Sequence, residues 1–113
     1  MTKETLEKNQ NYTIVPAVNI TETAKSYIVS LDMPGASKEN IKANIENNTL
    51  FISADAVEKS LLGVSDAAKQ YRREFSLAND IEVNTVEARY ELGVLTVTLN
   101  KKEQYLPKQI TIK

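Results

Sequence analysis

The 113-residue chain contains no cysteine and no histidine. Without cysteine there can be no disulfide, no thiolate metal site and no thiol nucleophile. Without histidine the commonest general base and the commonest metal ligand are both missing. An enzyme built on this chain would need paired carboxylates, an activated lysine or oxygen-only metal ligation. Glycine is scarce: three residues, none in a G-x-x-x-x-G-K arrangement. No phosphate cradle, nucleotide cycle, cofactor or metal is therefore expected. Neither sign of charge is in excess, with 14 Lys and Arg against 15 Asp and Glu and never more than two basic residues adjacent. That removes the electrostatic footprint for nucleic acid or an anionic membrane. No apolar run approaches a membrane span or a secretory core, so a soluble, unexported, cytoplasmic chain is expected.

What is present is short-range alternation. Val86 to Leu99 holds two runs of it. Val86, Ala88 and Tyr90 share one face of a first strand, against Glu87, Arg89 and Glu91; Leu95, Val97 and Leu99 share one face of a second, against Thr96 and Thr98. A period of two marks half-buried strands, and Leu92-Gly93 between them makes a hairpin. Leu resists left-handed backbone, so a longer or differently shaped turn is expected there.

The same period recurs along the chain. Pro16, Val18 and Ile20 alternate within 15–21, and proline restricts that run to an edge strand. Tyr27, Val29 and Leu31 alternate within 26–32, which Asp32-Met33-Pro34-Gly35 ends in a turn. Ile41, Ala43 and Ile45 lead to Asn47-Asn48, a hairpin tip, and Leu50, Ile52 and Ala54 return. Residues 55–70 lose the pattern and read as a long loop carrying Leu61, Leu62 and Val64, either a satellite apolar contact or a dimer patch. Tyr71 to Leu77 alternates again. Residues 1–14 read as a short polar arm, 15–100 as one domain and 101–113 as a tail ending in Ile110-Thr111-Ile112. Seven to eight short strands, regularly spaced and without a convincing helix, predict an all-β, immunoglobulin-like antiparallel β-sandwich.

Several stretches resemble the small heat-shock proteins, the alpha-crystallin family. Ala88, Gly93, Val94 and Leu95 match its A-x-x-x-n-G-V-L turn motif, with Leu92 where the family usually has Asn or Asp. Asp32-Met33-Pro34-Gly35 and the following S-K-E-N-I are similar to its D-L-P-G and K-E-D-I runs, and L-F-I-S-A to its L-x-I-S-A. The resemblance implies an alpha-crystallin domain. It also implies that Ile110 and Ile112 form the family's I-x-I tail, which docks by β-augmentation into a groove on another subunit. Ile41, Ala43, Ile45, Val86 and Ala88 are the residues expected to line that groove. A family arginine in an F-x-R-x-F-x-L run makes a dimer-interface ion pair, which falls on Arg72 or Arg73; Leu61 and Leu62 join them as interface candidates. The loop around these leucines is shorter than in bacterial and plant relatives, which argues against strand exchange of their kind.

The implied function is an ATP-independent holdase that binds non-native proteins, works as a homodimer and higher homo-oligomer, and catalyses nothing. Two other classes compete with it. A CS-type adaptor domain would use the same sandwich as a non-assembling co-chaperone, but such domains usually lack a tethered I-x-I. A carboxylate hydrolase would centre on Glu87, Arg89 and Glu91, which instead read as one solvated strand face.

Overall fold

Two hairpins of this molecule turn on pairs of residues that are both in left-handed backbone. The computed structural model describes residues 11–58 and 67–113. Asn47 and Asn48, at φ 50° and 59°, join β4 (Ala36–Glu46) to β5 (Thr49–Glu58). Leu92 and Gly93, at φ 50° and 81°, join β7 (Glu87–Glu91) to β8 (Val94–Asn100). Glu46 pairs with Thr49 and Glu91 with Val94, so each loop has two residues, the geometry of a type I′ turn. The longer turn expected at Leu92 is thus not adopted. Leucine takes the strained conformation itself, with its side chain fully in solvent.

The other strands are β1 (Asn11–Ile14), β2 (Val18–Glu22), β3 (Ser26–Asp32) and β6 (Ala67–Ser76). They form two four-stranded sheets, in the orders β1-β6-β5-β4 and β2-β3-β8-β7. Every pairing is antiparallel except that of β1 with β6, which is parallel. The expected sandwich is observed, with eight strands among the described residues.

The inner faces supply the core: Val29 and Leu31 from β3, Leu50, Ile52, Ala54 and Ala56 from β5, Tyr71 from β6, and Leu95, Val97 and Leu99 from β8. Met33 and Ile81 close the two ends of this layer, and the set follows the alternation in the sequence. Each buried aliphatic side chain of this size contributes about 1.5–3 kcal/mol relative to leaving it in water. Two tyrosines fasten the turn after β3: Tyr71 donates to the Pro34 carbonyl at 2.7 Å, and Tyr90 donates to Met33 and Ala36 carbonyls at 2.8 and 3.0 Å. In that turn Gly35 has φ 88°, and a Cβ there would lie 2.9 Å from the Val57 carbonyl oxygen.

Four expectations are corrected. Residues 11–14, read as the end of the polar arm, form β1. Residues 55–58 and 67–70, read as loop, extend β5 and β6 in register; Ala56 and Lys69 on the inner face hide the alternation. β4 starts at Ala36 instead of Ile41, because an irregularity between those two residues shifts the face and erases the period. Pro16, expected within an edge strand, precedes β2 and is buried where the chain crosses between sheets. Leu61 and Leu62 lie outside the described residues.

Candidate functional site

The site begins with two edge strands whose inner faces are incompletely covered. In β4, Ile41, Ala43 and Ile45 stand opposite Ala54, Ile52 and Leu50, and directly opposed residues in an antiparallel pair share a face. In β7, Ala88 and Tyr90 stand opposite Val97 and Leu95. All five therefore point toward the sandwich interior. Yet Ala43 and Ala88 are exposed, while their partners Ile52 and Val97 are 2 % and 0 % exposed. The two sheets part at this edge, and small side chains leave the gap unfilled.

The gap is a cleft of about 460 Å³ lined by Lys38, Ile41, Ala43, Ala88, Arg89, Tyr90 and Leu95. It brings together three of the five residues expected in the groove: Ile41, Ala43 and Ala88. Ile45 and Val86 lie outside this lining and pack, half-buried, against the core. Tyr90 and Leu95 were not assigned to the groove, although the alternation that placed Ala88 on the inner face puts Tyr90 there too. Of the turn motif, Gly93 makes the turn, Leu95 is buried, and Val94 is half-buried at the start of β8.

The tail departs from the opposite end of β8. Its base is tied down: Lys101 N–H donates to the Lys25 carbonyl, Lys102 N–H to the Asp80 carbonyl, and Glu82 N–H to the Asn100 carbonyl. The Lys101 ammonium meets Glu22 at 2.7 Å and lies 4.9 Å from the Tyr27 ring centre. Tyr27 in turn donates to Asp80 at 2.8 Å. Beyond a short 3-10 turn at Glu103–Tyr105 the chain has no regular structure, and Ile110 and Ile112 are 83 % and 91 % exposed. Ile110–Ile112 forms no strand of its own sheets.

Arg72 and Arg73 fall on opposite faces of β6. Arg72 is exposed opposite Ser53; Arg73 is half-buried opposite Ile52, its guanidinium 5.2 Å from the Phe75 ring centre. Glu87, Arg89 and Glu91 are all exposed on β7, a solvated face as read. A second, smaller cleft of about 150 Å³, unforeseen in the sequence, lies at the other edge between Ile20, Tyr27, Phe75, Leu77 and Ile81. Its residues come from four separated segments, so no local pattern could reveal it. Among the described residues, no group of three or more acidic side chains could hold a metal ion, and no helix is long and apolar enough to cross a membrane.

Comparisons with known proteins match the chain by sequence and by fold. The model of the Hsp20/alpha crystallin family matches residues 19–113. Small heat shock protein C2 of Rickettsia felis is 32% identical over 117 aligned positions, covering 95% of this chain and 71% of that protein. The probable 15 kDa heat shock protein of Leptospira interrogans is 26% identical, covering 100% of this chain and 89% of that one. Heat shock protein 16.0 from Schizosaccharomyces pombe superposes with a TM-score of 0.66 at 26% identity, covering 88% of this chain and 99% of that one. A small heat-shock protein from Xylella fastidiosa, described as having a distinct high order structure, matches in fold with a TM-score of 0.67 at 20% identity, covering 88% and 97%.

Proposed function

The chain belongs to the Hsp20/alpha crystallin family, whose small heat shock proteins are non-enzymatic chaperones of the stress response, and on that footing we propose that it is an ATP-independent holdase assembling through its I-x-I tail. Non-native chains expose apolar patches and strand edges that aggregate at modest concentration. A holdase lowers the free concentration of such species by offering apolar surface of its own. Here that surface is the edge cleft, covered by the tail of another copy in the assembly and freed when copies exchange.

The observation that supports this reading is a matched pair within one chain. Ile110 and Ile112 stand exposed, two residues apart, on a segment without regular structure. The cleft offers an edge strand to pair with, and at Ala43 and Ala88 two inner-face positions with room above them. An extended I-x-I segment beside β4 would set both isoleucines on one face, toward the opening. In this proposal the arm ends in β1 (Asn11–Ile14), which lies on the domain's sheet, the domain runs on to residue 100, and 101–113 is the tether. Ile45 and Val86 flank the slot, and Arg72 and Arg73, with Leu61 and Leu62, belong to a dimer interface. Its partners are further copies of itself and non-native proteins. The exposed isoleucine pair favours assembly over the non-assembling adaptor.

The test is light scattering on the full chain and on its I110A/I112A variant, alongside suppression of thermal aggregation of a model client. The expected result is an oligomer that protects the client and a smaller particle once both isoleucines are gone. A monomeric full chain that protects nothing would sink the proposal.

A further inference from the structure

The polar groups open to an occupant of the edge cleft carry one sign of charge. Of the side chains that line it, Lys38, Arg89 and Tyr90 alone have a polar group. Tyr90 donates its hydroxyl hydrogen inward, to the Met33 and Ala36 carbonyls. Lys38 and Arg89 are exposed, and among the described residues neither is held in an ion pair. The carboxylates of the two wall strands, Glu39 and Glu46 on β4 and Glu87 and Glu91 on β7, all lie outside the lining. A few polar groups at an apolar site decide what it accepts, and here both are cations.

The tail offered to this cleft has the same sign. Lys108 comes two residues before Ile110, Lys113 directly follows Ile112, and no acidic residue lies within 104–113. In extended backbone Lys108 shares the face of both isoleucines. Whichever way the segment runs along the cleft, it brings a lysine at each end. Apolar contact holds this plug in place, and charge pushes it out.

We infer that the cleft selects extended apolar segments flanked by carboxylates, supplied by a non-native partner chain, over the tail of a second copy. This rests on the holdase reading above, in which tail and client share the cleft. The tail is then held by its isoleucines against its own lysines, and an acid-flanked segment displaces it. Ionic strength acts on the two occupants with opposite sign. Salt screens the repulsion and tightens the tail; it screens the attraction and loosens the acidic segment. The whole chain carries a formal net charge of -1, so a preference for acidic segments must arise locally, at Lys38 and Arg89.

The test uses the full-length I110A/I112A variant, whose own tail no longer competes. It is titrated with two labelled peptides, both capped at their ends: residues 106–113, and the same segment carrying K108E and K113E. The acidic peptide is expected to bind tighter by about 2- to 30-fold at about 10 mM salt, the contribution of two exposed ion pairs. The gap should close toward about 1 M salt. K38Q/R89Q should abolish the preference and K38E/R89E should invert it. K42Q, on the outer face of β4 opposite Ser53, should leave it in place. Equal affinities, tighter binding of the lysine peptide by the unaltered cleft, or a preference that K38Q/R89Q does not change would overturn the inference and leave the cleft standing as the docking site. Peptides that bind no better than their own I110A/I112A versions, or that still bind once A88F is added to the chain, would overturn the reading of the cleft and the inference with it.

Discussion

Tyr27 donates its hydroxyl to Asp80 across 2.8 Å, and the Asp80 carbonyl accepts from Lys102 N–H at 2.6 Å, so β3 and the root of the tail hang on one aspartate. The other carboxylate oxygen, Oδ1, is buried and has no hydrogen-bond partner among the described residues. The hydrogen bond to Asp80, then burial, then the charges of Asp80 and Glu22 push the Tyr27 hydroxyl up to about 12 from 10.0. Because the fold favours the neutral phenol, this contribution is fully present below pH 10 and is lost as pH rises from 10 to 12. The expected outcome is an alkaline loss of stability across that window, read by thermal melts at stepped pH. Y27F should start less stable, since it leaves Asp80 Oδ2 without a donor, and should show a flatter alkaline decline.

Leu92 spends its left-handed backbone on a side chain that packs against nothing. Left-handed backbone costs an ordinary L-residue about 1–2 kcal/mol, and asparagine tolerates it better. L92N should therefore raise stability by about 1 kcal/mol in urea unfolding, with the m-value unchanged.

Gly35 is confined from two directions: φ of 88°, and a Val57 carbonyl oxygen 2.9 Å from where a Cβ would sit. G35A must both strain its own backbone and push β5 away from the turn that Tyr71 and Tyr90 hold. A loss exceeding about 1–2 kcal/mol is expected in the same assay.

Ala88 can separate assembly from folding. A88F would fill the cleft from its β7 wall while leaving the core cluster untouched. Stability should stay within about 0.5 kcal/mol of the parent, and particle size by light scattering should fall as it does for I110A/I112A. An undiminished particle would place the tail's contact elsewhere.

Much of this architecture is legible in the residue order, for a simple reason. Antiparallel hairpins are local, so Asn47-Asn48 announces both the turn and the register of the strands it joins, and Gly93 announces the second turn but, behind Leu92, not its two-residue length. The inner faces of β3, β5 and β8 follow from the same alternation. What escapes is non-local or masked. β1 is polar and pairs with a strand more than fifty positions away, so nothing near it advertises its partner. The ends of β5 and β6 present Ala56 and Lys69 inward, and neither residue type marks a buried face. Ala43 and Ala88 are recognisable as inward-pointing. Their exposure is not, because it depends on how far the opposite sheet reaches at that edge. The Tyr27–Asp80 contact spans two segments that share no sequence pattern.

The anchored root of the tail has a geometric corollary. The cleft includes Leu95 near one end of β8, and the tether leaves at Lys101 beyond the other, about 20 Å along the strand. If plug and socket meet between copies, they are two different patches, and a joint of that kind is directional. Each copy that receives a tail still has its own to give, so growth halts only when the rotation per step closes a ring. The angle at Lys101 would then set how many copies complete the circle.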